Sequence, residues 1–272
     1  MNLPLFIFTL KSCRGGIIAW SFFLFLYALL MVYVFNQFND IADTLDEYVD
    51  KMGSFIEIFA GEVGSILNPD GTLSLGKYMS LEFLSLWPVL MCVYAIFNAG
   101  GITAREVERG TMDMLLSQPL RRWRVVISKF MVFPLALAVI TVACIIGMLI
   151  GMAVIGNFSD LGGICLAFVP ALLITLAVAS YSLLFSCVFL DPRKVMLAAG
   201  SLTGLFYVLH ILSRTVGPLK WMGNLSIFYY YEPAQIASEL SINWLGISIY
   251  LAIIIVCSTA AIYVFQRRDI AA

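Results

Sequence analysis

Six stretches of this chain, at 16–38, 80–101, 127–156, 161–190, 195–213 and 244–266, are too long and too apolar to be hidden inside a water-soluble domain. In the hydrocarbon of a bilayer no water pairs with backbone N–H and C=O groups, so each run must satisfy its own backbone as a helix, and about 20 apolar residues cover the thickness. The fold class that follows is an all-α polytopic membrane protein with six transmembrane helices. The first run stands behind Lys11 and Arg14 as a secretory signal would, yet it is too long and no small-residue cleavage site follows, so it reads as a span. Only 12% of the residues are charged, against about 25% in an average soluble domain.

Orientation comes from the basic residues, which concentrate in cytoplasmic loops. With the N-terminus inside, Lys11, Arg14, Arg105, Arg109, Arg121, Arg122, Arg124, Lys129, Arg193, Lys194, Arg267 and Arg268 are cytoplasmic, and Lys51, Lys77, Arg214 and Lys220 are outside. Every loop alternates consistently, which puts both termini in the cytoplasm of a multi-pass protein of the cell membrane. The net charge of −1 leaves no basic surface for nucleic acid.

The segments between the spans differ in kind. Residues 1–15 are apolar and end on Lys11 and Arg14, which suits an interfacial helix along the inner leaflet or an extension of the first span. The outer segment 39–79 carries eight acids against two lysines, a net charge of −6. Within it Ile41, Leu45, Tyr48, Met52, Phe55, Phe59, Val63 and Ile66 recur with helical spacing, an apolar stripe for the chain's own spans or for an extracytoplasmic partner at 40–66. The stretch GTLSLGKY at 71–78 is close to a phosphate-binding loop, but Tyr78 stands where the Mg²⁺-holding Ser or Thr is needed and no strand precedes it. It reads as the turn into the second span. The outer segment 214–243 contains NLSIFYYYEPAQIASEL, in which Glu232-Pro233 can open a short re-entrant helix and the aromatics can form an interfacial belt. Six cysteines form no CxxC pair, and they read as packing residues with no metal site.

The cytoplasmic loop 102–126 carries the most information. Gly110 interrupts one helical piece and Thr111 can cap another, with Asp113 at the positive end of its dipole. Met112, Leu115 and Leu116 give a short apolar face that Pro119 stops. A short amphipathic helix among acids and arginines is a docking knob for a soluble partner.

The run E-x-E-R-G-T-M-D-M-L-L-S-Q-P-L-x-R from Glu106 to Arg122, with Lys129 at the start of the next span, resembles the first cytoplasmic loop of type 2 ABC transporter permeases. Six spans, both ends inside, an amphipathic N-terminal segment and a final FQRRD at 265–269 extend the resemblance over nearly the whole chain. It implies a coupling helix carried by Glu106, Glu108, Arg109, Gly110, Thr111, Asp113, Leu115, Leu116, Ser117 and Pro119. It further implies a separate ATPase subunit, in two copies, that binds ATP and Mg²⁺, while this chain holds no cofactor and is not an enzyme. Asp113, Arg121 and Ser128 depart from the usual Glu, Ser and Gly, and the acidic outer helix is not a general family feature.

The resemblance also implies a dimer, of two copies of this chain rather than a heteromer, with the path between them. Gly147 and Gly151 in the third span, and Gly200 and Gly204 in the fifth, allow close helix approach. Ionisable residues within spans are few: Glu82 and His210, each near an outer end, are candidates for the path or for a structural role. A path so poor in charge does not suit an ion pore and points to export of a hydrophobic or amphipathic compound. The family resemblance extends to permeases for sodium extrusion and copper-centre assembly, and a non-transporting scaffold would keep the same loop.

Overall fold

The computed structural model describes residues 3–60, 74–108, 110, 122–158 and 160–267, with the backbone alone for 38–60 and 122. The chain is all-α, and six helices or helix runs are long and apolar enough to cross a membrane. The first, α1 (Leu3–Ala60), is continuous. The expected interfacial segment 1–15 is therefore not a separate element: its described residues are the first turns of α1. Neither Gly15 nor Gly16 meets a neighbour that would force a bend, and an α-helix without a breaker continues whether its surroundings are lipid or water. At the other end its backbone stays helical far beyond the apolar run, through Ala60.

The second span is assembled from pieces: α2 (Leu75–Met79), a π-helical turn (Ser80–Leu84), α3 (Trp87–Ala99) and α4 (Gly101–Glu108). Its start answers the question raised by GTLSLGKY. The Ser74 hydroxyl accepts from the Lys77 N–H at 3.3 Å and donates to Asp160 Oδ2 at 3.0 Å, and the Gly76 N–H donates to the same oxygen at 3.2 Å. The free amides of this helix start are thus capped by a serine and a carboxylate of the chain itself.

The π turn and Pro88 leave a backbone problem. Proline has no N–H, so the Leu84 carbonyl four residues earlier lacks its helical donor. The Tyr231 hydroxyl supplies one at 3.0 Å from a buried position. Burial, with Tyr250 beside it, pushes the Tyr231 phenol well above its usual range, so it remains a donor. Tyr231→Phe keeps the ring and orphans the carbonyl, an expected loss of about 1–3 kcal/mol. Thermal unfolding in detergent checks this, and an unchanged midpoint would show that the bond is dispensable.

The remaining spans are α5 (Arg122–Phe130) running almost directly into α6 (Val132–Ile155), then α7 (Leu161–Phe189), α8 (Pro192–Thr215) and α10 (Trp244–Arg267). A 3₁₀ turn (Gly217–Leu225) and α9 (Pro233–Glu239) lie between the last two. α7 is the central post: 56% of its most apolar stretch is buried, against 17% for α8 and for α10. It is rich in Ala and Ser, and its hydroxyls bond back to the preceding turn, as in Thr175 to Ala171 O and Ser182 to Val178 O. That lets neighbouring helices approach closely without leaving polar groups unpaired. Asp191 and Pro192 then open α8, the Asp191 carboxylate accepting from the Arg193 N–H at 2.9 Å.

The outer segment 226–231 is wedged between the span ends. Ser226 donates to the Phe206 carbonyl at 2.6 Å and Tyr250 donates to the Ile227 carbonyl at 2.9 Å. Ile227, Phe228 and Tyr231 are buried there. The six cysteines are all free.

Candidate functional site: the cytoplasmic clasp and its flanks

The segment expected to carry the coupling helix lies between α4 and α5. Arg109, Thr111, Asp113, Leu115, Leu116, Ser117 and Pro119 lie outside the described residues; Glu106, Glu108 and Gly110 lie within them. What the structure describes is how the two stems are held.

The chain turns at Gly100 between α3 and α4, and Arg105 closes that turn by donating from Nη2 to the Phe97 carbonyl at 2.9 Å. The turn frees amides at the start of α4. One buried oxygen takes two of them: Ser186 Oγ on α7 accepts from Thr103 N–H at 3.2 Å and Ala104 N–H at 3.1 Å. The Thr103 and Ser186 hydroxyls also share a hydrogen bond at 2.7 Å. α4 is in this way fastened to the central post by hydrogen bonds that lipid cannot replace.

The second fastening joins the stems to one another. Lys129 Nζ on α5 is 2.7 Å from Glu106 Oε1 on α4, and the lysine side chain is only 6% exposed. Lys129 is the one buried charge among the described residues. Beneath the pair, Val126, Leu183, Cys187, Ala261 and Phe265 form a small apolar cluster drawn from α5, α7 and α10, with Ile102 and Val107 of α4 against it. At the exit Glu108 is exposed, and Gly110 adopts φ +66°, a left-handed conformation that ends the helix and favours glycine.

The glycine pairs divide. A Cβ on Gly147 would lie 2.6 Å from the Phe25 carbonyl oxygen and one on Gly151 2.9 Å from Val32 Cβ, so this pair seats α6 on α1 within one chain. Gly200 and Gly204 have open space above them on α8. Glu82 and His210 do not meet. Glu82 sits in the π turn, where its carbonyl accepts from Tyr27 of α1 at 3.3 Å. His210 lines an outer cleft that Glu82 does not line.

Ser186, Thr103, Asp160 and Tyr231 have structural roles that the sequence alone does not single out. A signal existed for two of them: Pro88 marks an acceptor in need of a donor, and a serine beside a cysteine in a central apolar run marks a polar group that must be satisfied. Among the described residues no cluster of His, Cys, Asp and Glu could hold a metal.

A comparison with curated proteins finds no match. The model of the family described as ABC-2 family transporter protein matches residues 11–270. Matched over nearly its whole length, and with six helices long and apolar enough to cross a membrane, the chain belongs to the ABC-2 transporter family, and it is a multi-pass membrane permease subunit of an ABC transporter.

Proposed function

We propose that this permease forms one half of an ATP-driven exporter: two copies pair in the membrane, and each is driven through residues 102–126 by a separate ATPase subunit that holds ATP and Mg²⁺. The observation that carries this reading is the double fastening of the loop's stems. A force applied at the loop tip reaches α4 and α5 together through Glu106 and Lys129, and passes to the central post through Ser186. Two stems clasped to each other and to the core move as a unit, which is what transmission from a soluble motor requires.

The compound carried is hydrophobic or amphipathic. In support, Lys129, the single buried charge among the described residues, is committed to the clasp, and the rest of the buried interior is apolar or hydroxyl-bearing. Pairing through α8 is supported by its open Gly200 and Gly204 beside the exposed Leu197 and Val208.

The test is co-purification of the tagged permease from detergent-solubilised native membranes, with ATPase activity measured in each eluate. A soluble ATPase is expected with wild type and is expected to be lost from Glu108→Ala combined with Leu115→Asp. A permease that emerges alone and inactive in both forms overturns the coupling role and favours a membrane scaffold.

A further inference from the structure

At the outer end of the bundle, the last turns of α8, the π turn and segment 226–235 enclose a cleft of about 230 Å³. Its walls include Ser85, Tyr207, His210, Arg214, Phe228 and Glu232. Three features of these walls bear on what the cleft could hold. Arg214 Nη2 and Glu232 Oε1 are 3.8 Å apart, too far for a hydrogen bond, and both side chains are about half exposed. Such a contact contributes little, so both charges keep most of their binding capacity. His210 Nδ1 is buried without a hydrogen-bond partner, a state that costs free energy unless something arrives to satisfy it. Tyr207 and Phe228 stack edge to face, with centroids 5.6 Å apart, and provide an aromatic wall beside the charges.

The cleft is therefore bipolar: a guanidinium on α8, a carboxylate on the opposite lip, and an aromatic wall. Below it the outer surface of α8 is apolar, with Leu205 exposed. From this arrangement we infer that the cleft binds the headgroup of a zwitterionic amphipath, a phosphate ester that also bears an ammonium. The phosphate lies on Arg214, which presents several N–H donors. The ammonium lies between the Glu232 carboxylate and the aromatic wall, where both the charge and the ring faces attract it. The hydrocarbon follows the apolar surface of α8 into the bilayer. A purely anionic head leaves Glu232 facing a like charge, and a purely cationic one does the same to Arg214.

The inference rests on the exporter reading for its claim that this amphipath belongs to the class carried; the binding itself needs neither the ATPase nor transport. The test uses the purified full-length permease in a non-ionic detergent. It is titrated with short-chain phosphatidylethanolamine, with phosphatidylglycerol of the same chains, and with free phosphoethanolamine, and binding is followed by thermophoresis. Phosphatidylethanolamine is expected to bind on the order of tenfold more tightly than phosphatidylglycerol, a difference of about 1.4 kcal/mol. Arg214→Gln is expected to weaken both lipids, and Glu232→Gln to abolish the discrimination between them. Both residues are half exposed, and unfolding midpoints in the same detergent confirm that each variant is folded. Binding that ignores the headgroup, or that survives both substitutions, overturns the proposal. Free phosphoethanolamine binding as tightly as the lipid overturns its amphipathic part and assigns the cleft to a soluble zwitterion. None of these outcomes depends on whether an ATPase co-purifies.

Discussion

Gly147→Leu is expected to unseat α6 from α1 and to lower the unfolding midpoint of the bundle sharply. The obstacle is backbone: the added Cβ would start 2.6 Å from the Phe25 carbonyl oxygen, which cannot rotate away as a side chain can. Overpacking of this kind costs about 1–3 kcal/mol, and the isobutyl group adds further displacement. The contrasting substitution is Gly204→Leu, where nothing lies within 4 Å. It should leave the midpoint unchanged and, if α8 pairs two permeases, shift the species seen by light scattering toward the monomer. Equal midpoints for the two variants would sink the distinction between an internal and an external glycine face.

Glu106→Gln is expected to have the second large effect. It strips the partner from Lys129, whose side chain is 6% exposed, and a buried ion pair broken on one side typically costs about 3–5 kcal/mol. Glu106 is 28% exposed, and water reaching the lysine from that side places the loss toward or below the lower bound. Glu106→Leu combined with Lys129→Met should recover much of the stability, because apolar replacements remove the unpaired charge. The same double variant should fail to recover ATPase activity in the co-purified complex if the clasp transmits force. Recovery of both would reduce the pair to a packing element.

The parts of this protein that were legible in its sequence are those set by solvent. Six runs must be helices because lipid offers no other partner to the backbone, and the six membrane-crossing elements stand over those runs. Helix ends were less legible, because hydropathy reports the surroundings and not the backbone. α1 begins at Leu3 and continues through Ala60 with no change at either membrane boundary. The break at Pro88 inside the second span draws on pairing at a distance: Tyr231, far along the chain, donates to the Leu84 carbonyl that Pro88 cannot serve. The clasp has the same character. Glu106 and Lys129 were each visible as part of a loop pattern, but Ser186 acquires its role only when α7 stands beside α4.

The length of α1 carries a mechanical consequence. Residues 38–60 continue the helix past its apolar run, and at 1.5 Å per residue they form a rod of about 35 Å. A tilt of about 10° in the first span would sweep the far end of that rod through roughly 6 Å. Because α6 is seated on α1 at Gly147 and Gly151, and α6 continues from the clasped stem α5, a shift of that stem reaches the rod through α6. Small angular changes at the Glu106–Lys129 clasp thereby become displacements of several ångströms at the far end of the rod.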